Sequence, residues 1–442
     1  MFSNPNTTVG RKERWAHRYA ELLDAIHATT GEAHERAKQA MRDHKETQFH
    51  PETSRAALIA QAKLGYDTSV KEAGSGPVRG DKAHFEVLDG LRGTAALLVV
   101  AFHIQGITVM FDAPRLLLPH AYLAVDFFFA LSGFVIGYAY DDRWDEMTTQ
   151  QFLVRRLIRL HPLVVLGALL GLVSYIGDPF AGGRQNASIL LVAFAFIAAL
   201  LALPSAPLPN RLGDSHPLNA PAWTLLQEYV GNLAYALVLR RLSTRTLAAA
   251  AVGAGLVSAV TALSLGSYDT GWGLSNFWGA PVRLAYPFIT GLLIFRLRDR
   301  LPQWELGFVP LSIVLGLAFA APVLPAYGAL KLNGLYQALC VLILFPVIIA
   351  VGRHSSGAPV TQRLCQAAGQ ISYPLYITHY PFVYLYMNWI AKSETAAAVP
   401  VAFALYVFTI LFAVAAYRWW DLPLRSALQR RAASRMRNQA NG

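Results

Sequence analysis

Arg92 and His103 stand eleven positions apart in an apolar stretch that reads as one helix. A rise of about 1.5 Å per residue separates them by roughly 16 Å, close to three turns, so they share a face. A guanidinium stays charged and meets phosphate oxygens as a planar fork, whereas an imidazole gains or loses its proton near neutral pH. Such a helix would hold an anionic cosubstrate at one end and a general base or a nucleophile part-way along. Spacing alone does not separate this reading from a buried histidine that is merely satisfied by hydrogen bonds.

Other ionisable residues interrupt apolar segments in the same way: Asp126, Arg159, His161, Glu228, Arg283 and His379. A charge at the centre of a membrane helix costs about 3 kcal/mol on insertion scales, so such residues are expected to face a bundle interior and to mark function. Arg159 and Arg283 lie near segment ends, where a long side chain can reach the interface, and for them a structural role is equally open. Asp126 and Glu228 sit well inside their segments. Either would orient and polarise the His103 imidazole, or would pair with a membrane arginine.

The elements that carry these residues follow from composition. The chain has 442 residues, of which 54% are hydrophobic, with two cysteines, a mean hydropathy of +0.35 and a net charge of +11. Those values exclude intrinsic disorder, a disulfide-built secreted domain and an ordinary soluble enzyme. Residues 1–84 hold 13 Lys+Arg and 11 Asp+Glu, which leaves most of the positive excess beside apolar segments. Basic loops there argue orientation in a bilayer rather than binding of nucleic acid. Three domains are expected: a polar, partly helical extension over 1–84, a membrane domain over 85–424 and a basic tail over 425–442. Within the extension, the stripe of Trp15, Tyr19, Leu22, Leu23 and Ile26 predicts a helix over 11–28. Further helices are expected over 31–46 and after Pro51, then a linker over 74–82.

Eleven apolar segments come after the linker, centred on 91–111, 121–140, 157–177, 187–203, 223–239, 246–266, 281–296, 307–325, 334–351, 371–390 and 399–420. Arginine clusters at 155–159, 240–245, 296–300, 353–363 and 425–437 are expected on the cytoplasmic side, with both termini. That arrangement needs an even number of crossings. The segment 223–239, with adjacent Gln227 and Glu228 after a Pro-rich loop, is taken as the irregular one, which leaves ten crossings. The fold class is then all-α, a polytopic membrane bundle. Cys340 lies in an apolar run and Cys365 in what reads as a basic cytoplasmic loop, so neither serves as a disulfide.

Five runs in order, FEVLDGLRGTAALLVVAFH (85–103), VDFFFALSGFVIG (125–137), FLVRRLIRLHPL (152–163), PAWTLLQEYVGNLAY (221–235) and ISYPLYITH (371–379), resemble the acyltransferase-3 family of multi-span membrane O-acyltransferases. These are bacterial enzymes that typically acetylate envelope or extracellular sugars. The resemblance covers nearly all of 85–420 and implies that Arg92 and His103 are the family's essential pair. It implies a paired-arginine motif at Arg156 and Arg159, preceded by Arg155, and an aromatic-rich motif at Phe128, Ser132, Gly133 and Phe134 after Asp126. It also implies a Trp-x-Leu motif at Trp223, Thr224, Leu225 and Glu228, and a late motif at Tyr376 and His379. The extension 1–84 has no counterpart in the family pattern, and the esterase domain that some members carry is missing, which leaves the acceptor open.

On this resemblance, acyl-CoA, with an acetyl group expected, places its phosphates on Arg92, Arg155, Arg156 and Arg159. His103 acts as general base or acyl relay with Asp126 and Glu228 behind it, and Ser132, Trp223, Tyr376 and His379 contact substrate. The expected partners are acyl-CoA, a glycan or other hydroxyl acceptor, the lipid bilayer of the inner membrane, and another copy of the chain through the extension. No Walker loop, paired CxxC or HExxH is found, so nucleotide hydrolysis and a bound metal have no support. A secondary transporter with Arg92 and His103 lining its pathway is the rival reading, weakened by the lack of evident inverted repeats. A membrane scaffold would use the apolar stripe of the extension but leaves His103 unexplained.

Overall fold

The computed structural model describes residue 39 and residues 85–181, 187–328, 330–355, 358–392 and 397–440, with side chains given only as far as 434 in the last stretch. The helices expected after residue 11 and Pro51 and the linker over 74–82 lie outside these residues, apart from residue 39. The chain divides into two compact units, Met1–His84 and Phe85–Gly442.

The second unit is built from helices. In order they are α1 (Glu86–Thr108), α2 (Ala124–Tyr140), α3 (Thr149–Ile176), α4 (Ile189–Leu200), α5 (Ala222–Leu237), α6 (Thr244–Leu265), α7 (Gly279–Arg296) and α8 (Phe308–Ala320). A two-residue hairpin, Ala326–Tyr327 with Leu330–Lys331, precedes α9 (Leu332–Leu339), which runs through a π-turn into α10 (Phe345–Gly352). The chain ends with α11 (Pro359–Thr378), α12 (Tyr380–Ile390), α13 (Ala398–Ala416) and α14 (Leu422–Ala440). Among the described residues, six helical stretches are long and apolar enough to cross a membrane: Glu86–Thr108, Ala121–Tyr140, Thr149–Ile176, Thr244–Leu265, Leu332–Gly352 and Ala398–Ser434.

Polarity is arranged as a bilayer demands. Val173, Ile176, Ile189, Leu190, Val399 and Phe403 are exposed, whereas Asp126, Arg283, Gln337 and His379 are buried. Apolar side chains facing outward cost nothing in lipid, and polar ones gather inside where they find partners. Helices approach closely at glycines, where the lack of a Cβ lets backbones touch. A Cβ at Gly133 of α2 would lie 2.0 Å from the Phe288 carbonyl oxygen of α7, and one at Gly291 of α7 would lie 1.9 Å from the Ala130 oxygen of α2.

Each of the eleven apolar segments contains helix. The segment expected to be irregular, 223–239, is helical as far as Leu237, the end of α5, and its Glu228 and Gln227 face inward rather than breaking the backbone. Two further apolar helices are shorter than the candidate spans, α4 with 12 residues and α8 with 13. At 1.5 Å per residue α4 covers about 18 Å, short of a hydrocarbon core of about 30 Å. The expected boundary at 424/425 falls inside α14, and Cys365 is buried within α11 instead of lying in a loop.

Candidate active site

His103 is held from behind. Its Nδ1 lies 2.9 Å from Nε2 of His379, and His379 Nδ1 lies 3.1 Å from the Leu375 carbonyl oxygen. A carbonyl can only accept, so Nδ1 of His379 carries the proton and its Nε2 is the acceptor; the network thereby assigns the His103 proton to Nδ1. Nε2 of His103 keeps its lone pair. The rings are nearly coplanar, 12° apart, and Tyr380 packs edge-on against both. His379 sits between α11 and α12, where the chain can open because Pro381 has no N–H to give the Ile377 carbonyl. Asn219 supplies the missing donor at 2.8 Å.

Arg92 lies earlier on α1. Its Nε donates to Ser372 Oγ at 3.0 Å, and Nη2 donates to the Gly369 carbonyl at 2.9 Å while pairing with Asp89 at 2.7 Å. On α3, a capping box fixes the first turn: Gln151 N–H donates to Thr148 Oγ1, and Thr148 N–H donates to Gln151 Oε1. Arg156 and Arg159 lie further along, three residues apart on neighbouring turns of one face. Arg156 donates through Nε to Asn232 and through Nη2 to Glu228 at 2.7 Å, which ties α3 to α5.

Two cavities join these groups. The smaller, about 120 Å³, is lined by Arg92, Ser132, Arg156, Arg159, Glu228, Ser372 and Tyr376, among others. The larger, about 420 Å³, is lined by Phe102, His103, Tyr122, Asp214, Trp223, Asp269, Trp272, Arg283, Tyr376 and Tyr380, with apolar neighbours. Successive turns lead from one to the other. On α1 the order is Arg92, then Val99 and His103; on α11 and α12 it is Ser372, Tyr376, then Tyr380; on α5, read backwards, it is Glu228, Thr224, then Trp223. Val125 and Tyr376 line both.

Several expectations need correction. Neither carboxylate orients His103: Glu228 pairs with Arg156, and Asp126 forms a fork with Arg283, at 3.2 Å to Nε and 2.6 Å to Nη2. Arg283 does not reach an interface. It is 1% exposed, and it also donates to the Thr270 and Tyr122 carbonyls. Arg155 projects about 100° away from Arg156 along the helix, is exposed, and does not line the smaller cavity. His379, expected against substrate, is fully buried behind His103. Ser132, Trp223 and Tyr376 do line cavities, with Ser132 Oγ 3.4 Å from Glu228.

The apolar segments gave no sign of the loops. Residues 201–221 and 266–278 bring Asp214, Asp269 and Trp272 to the larger cavity. Burial holds the Asp214 carboxyl up at about 6, against the pull of the hydrogen bond from Tyr384 and of the Arg211 charge. Asp214 and Asp269 both lie outside the apolar spans, so a search for charges inside them passes by.

A family model described as an acyltransferase domain matches residues 85–418. The chain belongs to the acyltransferase-3 family. This acyltransferase is also similar to a Rhizobium radiobacter protein named "Protein 2 in picA locus", 38% identical over 161 residues that span 34% of this chain and 81% of the relative. No solved structure matches it. The protein is a multi-pass membrane acyltransferase, and the histidine pair and the two cavities lie within the family's domain.

Proposed function

We propose that the enzyme moves an acyl group, expected to be acetyl, from acyl-CoA to a hydroxyl of an envelope or extracellular glycan. The observation that carries this reading is a pair of cavities with Val125 and Tyr376 common to their walls, one lined by arginines and the other by the His103 imidazole. Arg92, Arg156 and Arg159 suit an anionic donor, since guanidinium forks bind phosphate bidentately. A cavity of about 120 Å³ is below the usual 300–1,000 Å³ of a pocket that encloses a whole ligand, which favours admission of the narrow thioester arm with the nucleotide left at the mouth.

In the larger cavity His103 Nε2 takes the proton of the acceptor hydroxyl as its oxygen attacks the thioester carbonyl. The C–S bond breaks, CoA leaves as thiolate, and the proton passes from His103 to the sulfur. His379 keeps the imidazole in the required tautomer. The arginine-bearing ends of α1 and α3 would then face the cytoplasm, where acyl-CoA is made, with both termini on the same side of the inner membrane.

Purified enzyme supplied with acetyl-CoA and acceptor is expected to release CoA, and His103→Ala is expected to lower the rate about 10²–10⁴-fold while membrane insertion is unchanged. An alanine variant that keeps most of its rate would remove His103 from the reaction. An acetylated His103 trapped by mass spectrometry in the absence of acceptor would replace direct transfer with a covalent relay.

A further inference from the structure

The two cavities differ in charge. Around the smaller, three guanidiniums, Arg92, Arg156 and Arg159, face the carboxylate of Glu228. Around the larger, the carboxylates of Asp214 and Asp269 face Arg283, whose charge is already met by Asp126. The walls of the larger include the indoles of Trp223 and Trp272.

These carboxylates are held by a built frame. Asp269 N–H donates to Ser267 Oγ at 3.0 Å, and Asn276 Oδ1 accepts from Gly271 and Gly273 N–H at 3.0 and 2.9 Å. The loop is pinned to its neighbour where Ser215 N–H donates to the Trp272 carbonyl at 2.9 Å and Leu274 N–H to the Gly213 carbonyl at 3.2 Å. Asp214 accepts from Tyr384 Oη at 2.5 Å. Asp269 remains accessible, and the space before it is the cavity that His103 lines.

The geometry points to an acceptor whose reacting unit is an uncharged, hydroxyl-rich ring, with Asp269 and Asp214 accepting its hydroxyl hydrogens and turning away uronic acids and phosphosugars. This rests on the acyl-transfer reading in that His103 serves the same cavity. Carboxylate acceptors make strong hydrogen bonds to hydroxyls. An anion brought beside these two carboxylates meets repulsion that Arg211, next to Asp214, and Arg283, already paired with Asp126, offset only in part, and such repulsion is how interfaces reject the wrong partner. The indoles offer flat apolar surface to the faces of a sugar ring.

Methyl β-D-glucoside and methyl β-D-glucuronide differ at one carbon, which is a hydroxymethyl in the first and a carboxylate in the second. Both are titrated by saturation-transfer NMR against the full chain in lipid nanodiscs, and CoA release from acetyl-CoA is followed on the same preparation. The wild type is expected to bind the glucoside at least about tenfold more tightly. Asp269→Asn and Asp214→Asn are expected to narrow that ratio to about threefold or less, whereas Asp269→Glu keeps it. Equal binding of the two sugars, binding of neither, or a ratio unmoved by both asparagine variants would overturn the proposal. Discrimination that persists where acetyl-CoA yields no CoA would support it and sink the donor reading alone.

Discussion

A protonated Nδ1 on His103 is dictated by a carbonyl two hydrogen bonds away on another helix. Leu375 fixes His379, and His379 fixes His103. His379→Leu should therefore lose the tautomer and most of kcat, with KM for acyl-CoA little changed. His379→Gln, whose side-chain oxygen can still accept, should recover part of that loss; equal activity in both variants would mean that His379 only fills space. Arg92 holds three partners with one planar group. A lysine cannot reproduce that fork, so Arg92→Lys should raise KM for acyl-CoA several-fold, and a pure kcat defect would move Arg92 to the reaction centre. The sequence placed Arg92 and His103 on one face because helical spacing does so directly. It left Asp126 and Glu228 open between orienting His103 and pairing with an arginine because spacing names a face and not the partner across it. Arg283 and Arg156 lie 157 and 72 positions away from those carboxylates.

Helix packing sets how well those side chains meet. The α2–α7 crossing has backbone against backbone at Gly133 and Gly291, and a methyl there has no flexible neighbour to displace. Gly291→Ala should destabilise the protein by about 1–3 kcal/mol, as overpacking does in well-packed interiors. A clear fall in unfolding temperature in detergent is the expected reading; an unchanged transition would show that the helices can slide apart freely. The apolar segments were legible because length and hydropathy mark them. The segment 223–239 is helical where adjacent polar residues suggested a break, because a helix can direct both Gln227 and Glu228 inward. Nothing in hydropathy announces loops such as 266–278, whose shape depends on Asn276 and on pairing with residues 213–215.

At the scale of the molecule, the described residues that line the two cavities all lie at or after Arg92. Removing residues 1–80 should leave acetyl transfer measurable, with any change appearing in oligomeric state by size-exclusion chromatography. A truncated protein that unfolds normally but transfers nothing would put the extension in the active site.

Tyr376 and Val125 are common to both cavities, and this has a bearing on the cell's energy supply. Cavities in line through a membrane protein make a permeation path unless a narrow apolar neck keeps water and ions from crossing. An elementary charge falling through 100 mV releases about 2.3 kcal/mol, so even a slow leak drains the gradient that the cell maintains. Tyr376→Ala should therefore give proteoliposomes a measurable proton or ion conductance that the wild type lacks. The aromatic side chain common to both cavities would then be an insulator, and selection for impermeability would act on it independently of catalysis.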